Sequence, residues 1–224
     1  MSYLVVVAHP DDEILGAGAT IKKLTEKGEK VHICIMSSKA EARTLKPCDN
    51  ELQENCDSAL NSAGAASIIK GSFPNIKMNT IPHLELVQFI EKCIIDTDAD
   101  VVVTHHPSDL NNDHAQTSRA CQAAVRLFQR NPNVKPMKAF LYMEVPSATD
   151  WSLDPDGIFR PNIFVETGER LIDEKIKMLG MYKGVMRDYP HPRSAEAIKG
   201  LAAYRGGQVG CFYAEAFELA FGRI

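Results

Sequence analysis

The sequence predicts a single-domain α/β fold of Rossmann-like, three-layer type, with a mostly parallel central sheet. Three observations carry that expectation. Apolar runs of strand length alternate with stretches of helical periodicity. The first run, YLVVVA over Tyr3–Ala8, is uninterrupted and largely β-branched, as a strand covered on both faces should be. A length of 224 residues with 45% hydrophobic content suits one sizeable core. Strands alternating with helices through right-handed crossovers give a parallel sheet covered on both faces.

In chain order, the pattern after Ala8 switches to helical spacing through Ile14, Leu15, Ile21 and Leu24, and Gly28 ends it. Val31–Met36 is a second buried strand. A helix over Asn50–Ala63 stops at Gly64, and Ala66–Lys70 is a short third strand. The loop GSFPNIKMNTIP leads to a helix over about His83–Ile95, after which DADVVVTHH supplies the fourth strand. HAQTSRACQAAVRLFQR reads as a helix with apolar positions at Ala120, Ala123, Ala124 and Leu127. A strand over Lys138–Glu144, the apolar stretch NIFVET, and helices over about Gly168–Met186 and Ser194–Tyr204 complete the chain. There is no internal repeat and no low-complexity segment.

Composition narrows the function classes. A formal charge of −4 without a Lys/Arg run gives no surface for nucleic acid or an anionic membrane. The six cysteines are scattered and include no CxxC pair, which fits reduced thiols rather than a disulfide framework or a cysteine zinc site. No basic, apolar leader and no stretch of about twenty apolar residues is present. The expectation is a cytoplasmic protein with a small-molecule substrate, no nucleic acid, no membrane insertion and a possible homo-oligomer.

Two polar clusters stand where strands end. HPDDE follows the first strand and THHPSDLNNDH follows the fourth. If the first strand is central, with the second and third to one side and the fourth to the other, the strand order reverses between first and fourth. Ligands bind beyond the carboxyl ends of the strands at such a reversal. The two clusters should therefore meet.

Acids in the first turn of a helix satisfy free N–H groups and the helix dipole, and Pro10 suits a loop-to-helix entry. That account leaves His9 unexplained. His9 and Asp12, three apart across a tight turn, can converge on one ion while Asp11 points elsewhere. The further ligand comes from His105, His106, Asp109, Asp113 or His114. Two histidines and one aspartate favour zinc with a position left for water. SDLNND is also a good turn sequence, and Asp113 can cap the helix that follows. His32 and His83 read as structural. Gly16 and Gly18 lie inside the first helical turns, outside any phosphate-loop motif, and there is no GxSxG elbow.

AHPDDEILGAGATI followed by THHPSDLNNDHAQT resembles the zinc-dependent LmbE-like, or PIG-L, N-deacetylase family, and the tail YAEAFEL is similar to it as well. The resemblance implies one deacetylase domain over residues 1–224, with zinc held by His9, Asp12 and His114 and Asp11 as the general base. Asp113 joins the catalytic group. Many members carry HPDH where this chain has NNDH, so Asn111 takes the place of an oxyanion-stabilising histidine; His191 or His106 is then the source of the missing acid, with His191 preferred. Glu41, Arg43, His106 and Arg193 are expected substrate contacts. The implied reaction removes the acetyl group from an N-acetylated amino sugar or its conjugate, as a metal-dependent amide hydrolase acting on a non-peptide C–N bond. The competing readings are a two-metal phosphoesterase and a non-catalytic sugar-binding module on the same fold.

Overall fold

The computed structural model describes residues 1–39, 47–153 and 156–224. Seven strands form one sheet: β1 (Ser2–Val7), β2 (Lys30–Ile35), β3 (Ser67–Lys70), β4 (Val101–His105), β5 (Ala139–Met143), β6 (Ile163–Glu166) and β7 (Ala214–Gly222). Their spatial order is β3-β2-β1-β4-β5-β7-β6. The first five in chain order pair in parallel, and β7 runs antiparallel between β5 and β6. The order reverses between β1 and β4, as expected.

Among the described residues, six α-helices cover the sheet: α1 (Asp12–Glu26), α2 (Asp49–Ala63), α3 (His83–Thr97), α4 (Asn112–Ala124), α5 (Gly168–Gly180) and α6 (Ala195–Val209). β1 shows why its residues are all apolar. Val5 and Val7 join the core cluster that also contains Leu15, Leu60 and Met178, whereas Leu4, Val6 and Ala8 join the opposite cluster with Ile90 and Cys121. Burying each such aliphatic side chain contributes roughly 1.5–3 kcal/mol. Alternation is lost because both faces are covered.

Three elements depart from the sequence reading. The helix expected to reach Met186 ends at Gly180, with turns through Gly184 (φ 74°) bringing the chain toward the sheet's carboxyl edge. The helix expected to continue to Arg130 stops at Ala124 and gives way to a short 3-10 turn at Leu127–Gln129. β7 was not expected as a strand, because AEAFELAF is made largely of helix formers and pairing with β5 and β6 overrides that preference.

β7 also answers a need of α1. That helix is kinked at Ala17 (φ −142°), which exposes backbone N–H groups in its interior. The buried Glu215 carboxylate of β7 accepts from Ala19 N–H at 3.1 Å and Thr20 N–H at 2.6 Å, and Lys175 Nζ of α5 pairs with it at 2.7 Å. A carboxylate at the start of a helical segment satisfies its free donors and its dipole, so Glu215 caps the second half of α1 from another element.

Candidate functional site

The β1–α1 connection is built around a strained residue. Asp11 has φ 110°, a conformation that favours glycine and costs a non-glycine residue about 1–3 kcal/mol. The turn is held by Asp12 N–H donating to His9 O at 3.3 Å and His9 N–H donating to the Asp12 carboxylate at 2.9 Å. Asp11 N–H donates to Glu13 Oε2 at 3.1 Å, and the Tyr182 hydroxyl donates to Glu13 Oε1 at 2.5 Å. Glu13 is thus more than a helix acid: it anchors the turn to α1 and to Tyr182. Burial pushes its carboxyl up to about 8 despite the Tyr182 bond.

The turn and the start of α4 place three buried donors together. One ligand atom each from His9, Asp12 and His114 lies within 4.8 Å of the others. Asp12 Oδ2 is 3.4 Å from His9 Nδ1 and 3.2 Å from His114 Nε2. The outer nitrogens of both histidines face carboxylates: His9 Nε2 is 3.0 Å from Asp113 Oδ2, and His114 Nδ1 is 2.9 Å from Asp109 Oδ2. Such partners fix ring orientation and tautomer, leaving the inner nitrogens free to bind a cation.

Electrostatics fit a cation-accepting pocket. Burial opposes charge on Asp12, but His114, His9 and His105 outweigh it and hold its carboxyl well below the usual range. Burial likewise opposes a proton on His114, yet Asp12 and Asp109 hold it up at about 10. A metal taken up here exchanges with a proton, as expected of a preformed ligand set. His105 differs. Burial first, then His114, keeps it neutral; its Nε2 accepts from Ala8 N–H at 2.8 Å and its ring stacks on His114 at 3.8 Å. It is a support for His114. A second grouping, His105, Asp109 and His114, shares His114 with the first, but its other two members do not line the cleft.

The donor set opens onto a cleft of about 450 Å³ lined also by Asp11, Lys39, Asn75, Asn111, Ser147, Trp151, Arg187, His191 and Arg193. Asn111 is the N-cap of α4: its Oδ1 accepts from Asp113 N–H at 2.9 Å, so the expected capping role of Asp113 falls to Asn111. Asp113 is instead buried behind His9, accepting from Ile76 N–H at 2.5 Å and Met78 N–H at 3.0 Å. Asn111 Nδ2 has no hydrogen bond to a described residue and remains a donor. His191 Nδ1 accepts from Arg193 N–H at 3.0 Å; burial, Arg193 and Arg187 together lower its pKa.

One expected substrate contact lies outside the cleft and another lines it. His106 turns away from the cleft: its ring meets Ser108, Glu218, Tyr142 and Phe159, and it lines a separate depression. Its position one residue past His105, on the opposite face of the strand end, sends it there. Arg193 does reach the cleft, but its guanidinium is engaged by Ser147 Oγ at 2.8 Å and faces Asp11 Oδ2 at 3.5 Å. Glu41 and Arg43 lie outside the described residues. Sequence reasoning named Asp109 and Asp113 among the candidate ligands and Asp113 as catalytic, but not as the partners of the two histidines that they are. For Asp109 the signal was its place within SDLNND, which also reads as an ordinary turn.

Residues 4–125 match the family model described as PIG-L: GlcNAc-PI de-N-acetylase. A comparison with curated proteins finds no match. Among solved structures, the fold is similar to the conserved protein TT1542 from Thermus thermophilus, with TM-score 0.81, 22% identity, and 99% of this chain and 96% of that one covered. It is similar to the N,N'-diacetylchitobiose deacetylase of Pyrococcus horikoshii, with TM-score 0.78, 18% identity and coverage of 97% and 83%. It is equally similar to GalB, the 4-carboxy-2-hydroxymuconate hydratase of Pseudomonas putida, with TM-score 0.79, 20% identity and coverage of 100% and 97%. At these identities the likenesses establish the fold alone, and one fold here carries two chemistries.

Proposed function

The chain belongs to the PIG-L (LmbE-like) family, and from that premise we propose that it is a zinc-dependent N-deacetylase, releasing acetate from an N-acetylated amino sugar or its conjugate. The observation that carries the reading is the donor set itself. His9, Asp12 and His114 converge, and each histidine is backed by a carboxylate, as metal-binding histidines usually are. Two nitrogens and one carboxylate oxygen suit zinc with room for a further ligand. The metal supplies Lewis acidity, making water a nucleophile at neutral pH and polarising the amide carbonyl.

The remaining steps fall to the chain's own side chains. Asp11, at the mouth of the donor set, takes the proton from the attacking water, and Arg193 at 3.5 Å holds that carboxylate in place. Attack turns the carbonyl oxygen into an oxyanion, toward which Asn111 offers its amide N–H as a neutral donor. As the C–N bond breaks, the amine needs a proton. Asp11 returns the proton it took, while His191, whose Nδ1 accepts from Arg193 N–H, is neutral and offers its Nε2–H to the substrate as a hydrogen-bond donor. The products are acetate and the free amine. The burial of the second donor grouping away from the cleft supports a single metal, which disfavours the two-metal phosphoesterase reading.

The test is acetate release from a panel of N-acetylated amino sugars, with and without chelator and restored zinc, for the wild type and Asp11→Asn. Zinc-dependent release by the wild type is expected. Asp11→Asn should keep the metal and lose roughly 10²–10⁴-fold in kcat, the range general-base catalysis supplies. Undiminished turnover by Asp11→Asn would remove the mechanism, and sugar binding without any release would leave a binding module.

A further inference from the structure

Backbone strain is concentrated at the cleft. Among the described residues, four non-glycine residues have positive φ, and three of them, Asp11 (110°), Ile76 (57°) and Ser147 (71°), line it. The fourth, Asp98, closes α3 just before β4 begins. Strain of this kind persists only where the surrounding structure over-determines it, and it clusters at functional sites. Ile76 N–H holds Asp113 behind His9, and Asp11 stands beside the metal donors. The Ser147 side chain reaches neither; among the described residues it bonds to Arg193.

The turn that carries Ser147 follows β5. It is closed by Ala148 N–H to Val145 O at 3.1 Å and Thr149 N–H to Val145 O at 3.0 Å, while Thr149 Oγ1 accepts from Val145 N–H at 2.7 Å. Val145, Ala148 and Thr149 are buried, and Leu110 N–H donates to Ala148 O at 3.3 Å, which ties the turn to the loop ahead of α4. Held on both sides, Ser147 takes a left-handed conformation that glycine or asparagine adopts more readily. This aims its Oγ at Arg193: it accepts from Nε at 2.8 Å, and Nη1 of the same guanidinium faces Asp11 Oδ2 at 3.5 Å. The arginine backbone is fixed as well. Its N–H donates to His191 Nδ1 at 3.0 Å, and the next residue, Ser194, caps α6 by accepting from Ala197 N–H at 3.0 Å. A planar guanidinium held at two nitrogens has little freedom left.

We propose that Ser147 is a positioning residue: its left-handed turn fixes Arg193 and, through Arg193, the carboxylate of Asp11. The inference rests on the deacetylase reading for the task of Asp11, whereas the tie between Ser147 and Arg193 stands on the geometry. Without Oγ the guanidinium leaves its place and Asp11 meets the attacking water in poorer alignment. Misplacement of this kind lowers turnover more than substrate affinity.

Three variants test it. Ser147→Ala loses Oγ and keeps the strain, Ser147→Gly loses Oγ and relieves the strain, and Ser147→Asn keeps a side-chain oxygen on a residue that tolerates the left-handed state. Acetate release from N-acetylglucosamine and N,N'-diacetylchitobiose is measured on the zinc-loaded proteins, together with thermal unfolding. In both Ser147→Ala and Ser147→Gly, kcat should fall about tenfold with KM within about twofold of the wild type, and Ser147→Asn should stay within about threefold in kcat. The thermal midpoint should nevertheless be higher for Ser147→Gly than for Ser147→Ala. A kcat that recovers with the thermal midpoint from Ser147→Ala to Ser147→Gly, or that is unchanged in both, overturns the proposal. A second readout needs no catalysis: phenylglyoxal modification of Arg193, located by peptide mass mapping, should run about threefold or more faster in Ser147→Ala and Ser147→Gly than in the wild type. If neither sugar releases acetate, the deacetylase reading fails for both and this rate decides alone: faster modification sustains the tie, and equal rates end it.

Discussion

Asp109 Oδ2 stands 2.9 Å from His114 Nδ1, and that contact determines which nitrogen of His114 faces the cleft. Asp113 does the same for His9 at 3.0 Å. Neither carboxylate lines the cleft, so both act through the histidines they hold. Asp109→Ala is expected to weaken zinc affinity by roughly 10–100-fold while leaving the three donors in the chain. Competition with a chelator of known affinity measures it. An affinity equal to the wild type would show that the ring is oriented by stacking on His105 instead.

The Glu215 carboxylate makes a different kind of prediction. It is 5% exposed, serves two N–H groups of the kinked α1, and pairs with the equally buried Lys175. Removing one partner of a buried pair leaves the other charge uncompensated, at about 3–5 kcal/mol. Glu215→Ala should lose that much in urea unfolding. Glu215→Gln keeps an acceptor for the α1 N–H groups and should lose less; equal losses would mean that the cap contributes nothing.

These two cases show what could be read in the chain beforehand. The strand-to-loop junctions were legible because β1 is apolar on both faces and HPDDE follows it directly, so strand order alone brought His9 and His114 together. Asp109 was visible as a candidate, but turn-forming acids resemble one another, and only chain closure reveals which one meets a histidine. β7 was hidden because its Ala, Glu and Leu residues favour helix, while its strand state depends on neighbours far away in sequence. His106 and His105 differ by one residue, yet His105 supports the site and His106 faces away. Arg187 sits just past a segment read as helix, and its place in the cleft lining follows from the turns that replace the end of that helix.

Asp100 gives the pH dependence. Burial acts against its charge, but Ser2 N–H at 2.8 Å, Lys138 and Lys135 bring its carboxyl down to about 2 from an ordinary 3.8. A folded-state pKa below the unfolded value means stability that is present above pH 3.8 and is lost as pH falls toward 2. The lysines are partly exposed, so solvent screening leaves roughly 1 kcal/mol of this at neutral pH. Asp100→Asn should lower stability by that amount at pH 7 and by less at about pH 2.5. A difference that stays constant across this range would assign the effect to packing rather than to charge.

Asn111 has two atoms with separate tasks, and substitutions can divide them. Its Oδ1 caps α4 through Asp113 N–H, a contact worth about 1 kcal/mol, while Nδ2 is the donor assigned to the oxyanion. Asn111→Asp keeps the acceptor and removes the donor, so it should retain stability and lose about 10²-fold in kcat with little change in zinc content. Asn111→Ala removes both and should lose the same in kcat together with about 1 kcal/mol of stability. Thermal unfolding, kcat and metal content measured on both variants separate the roles. Full activity in Asn111→Asp would take the oxyanion away from this side chain and leave it a helix cap.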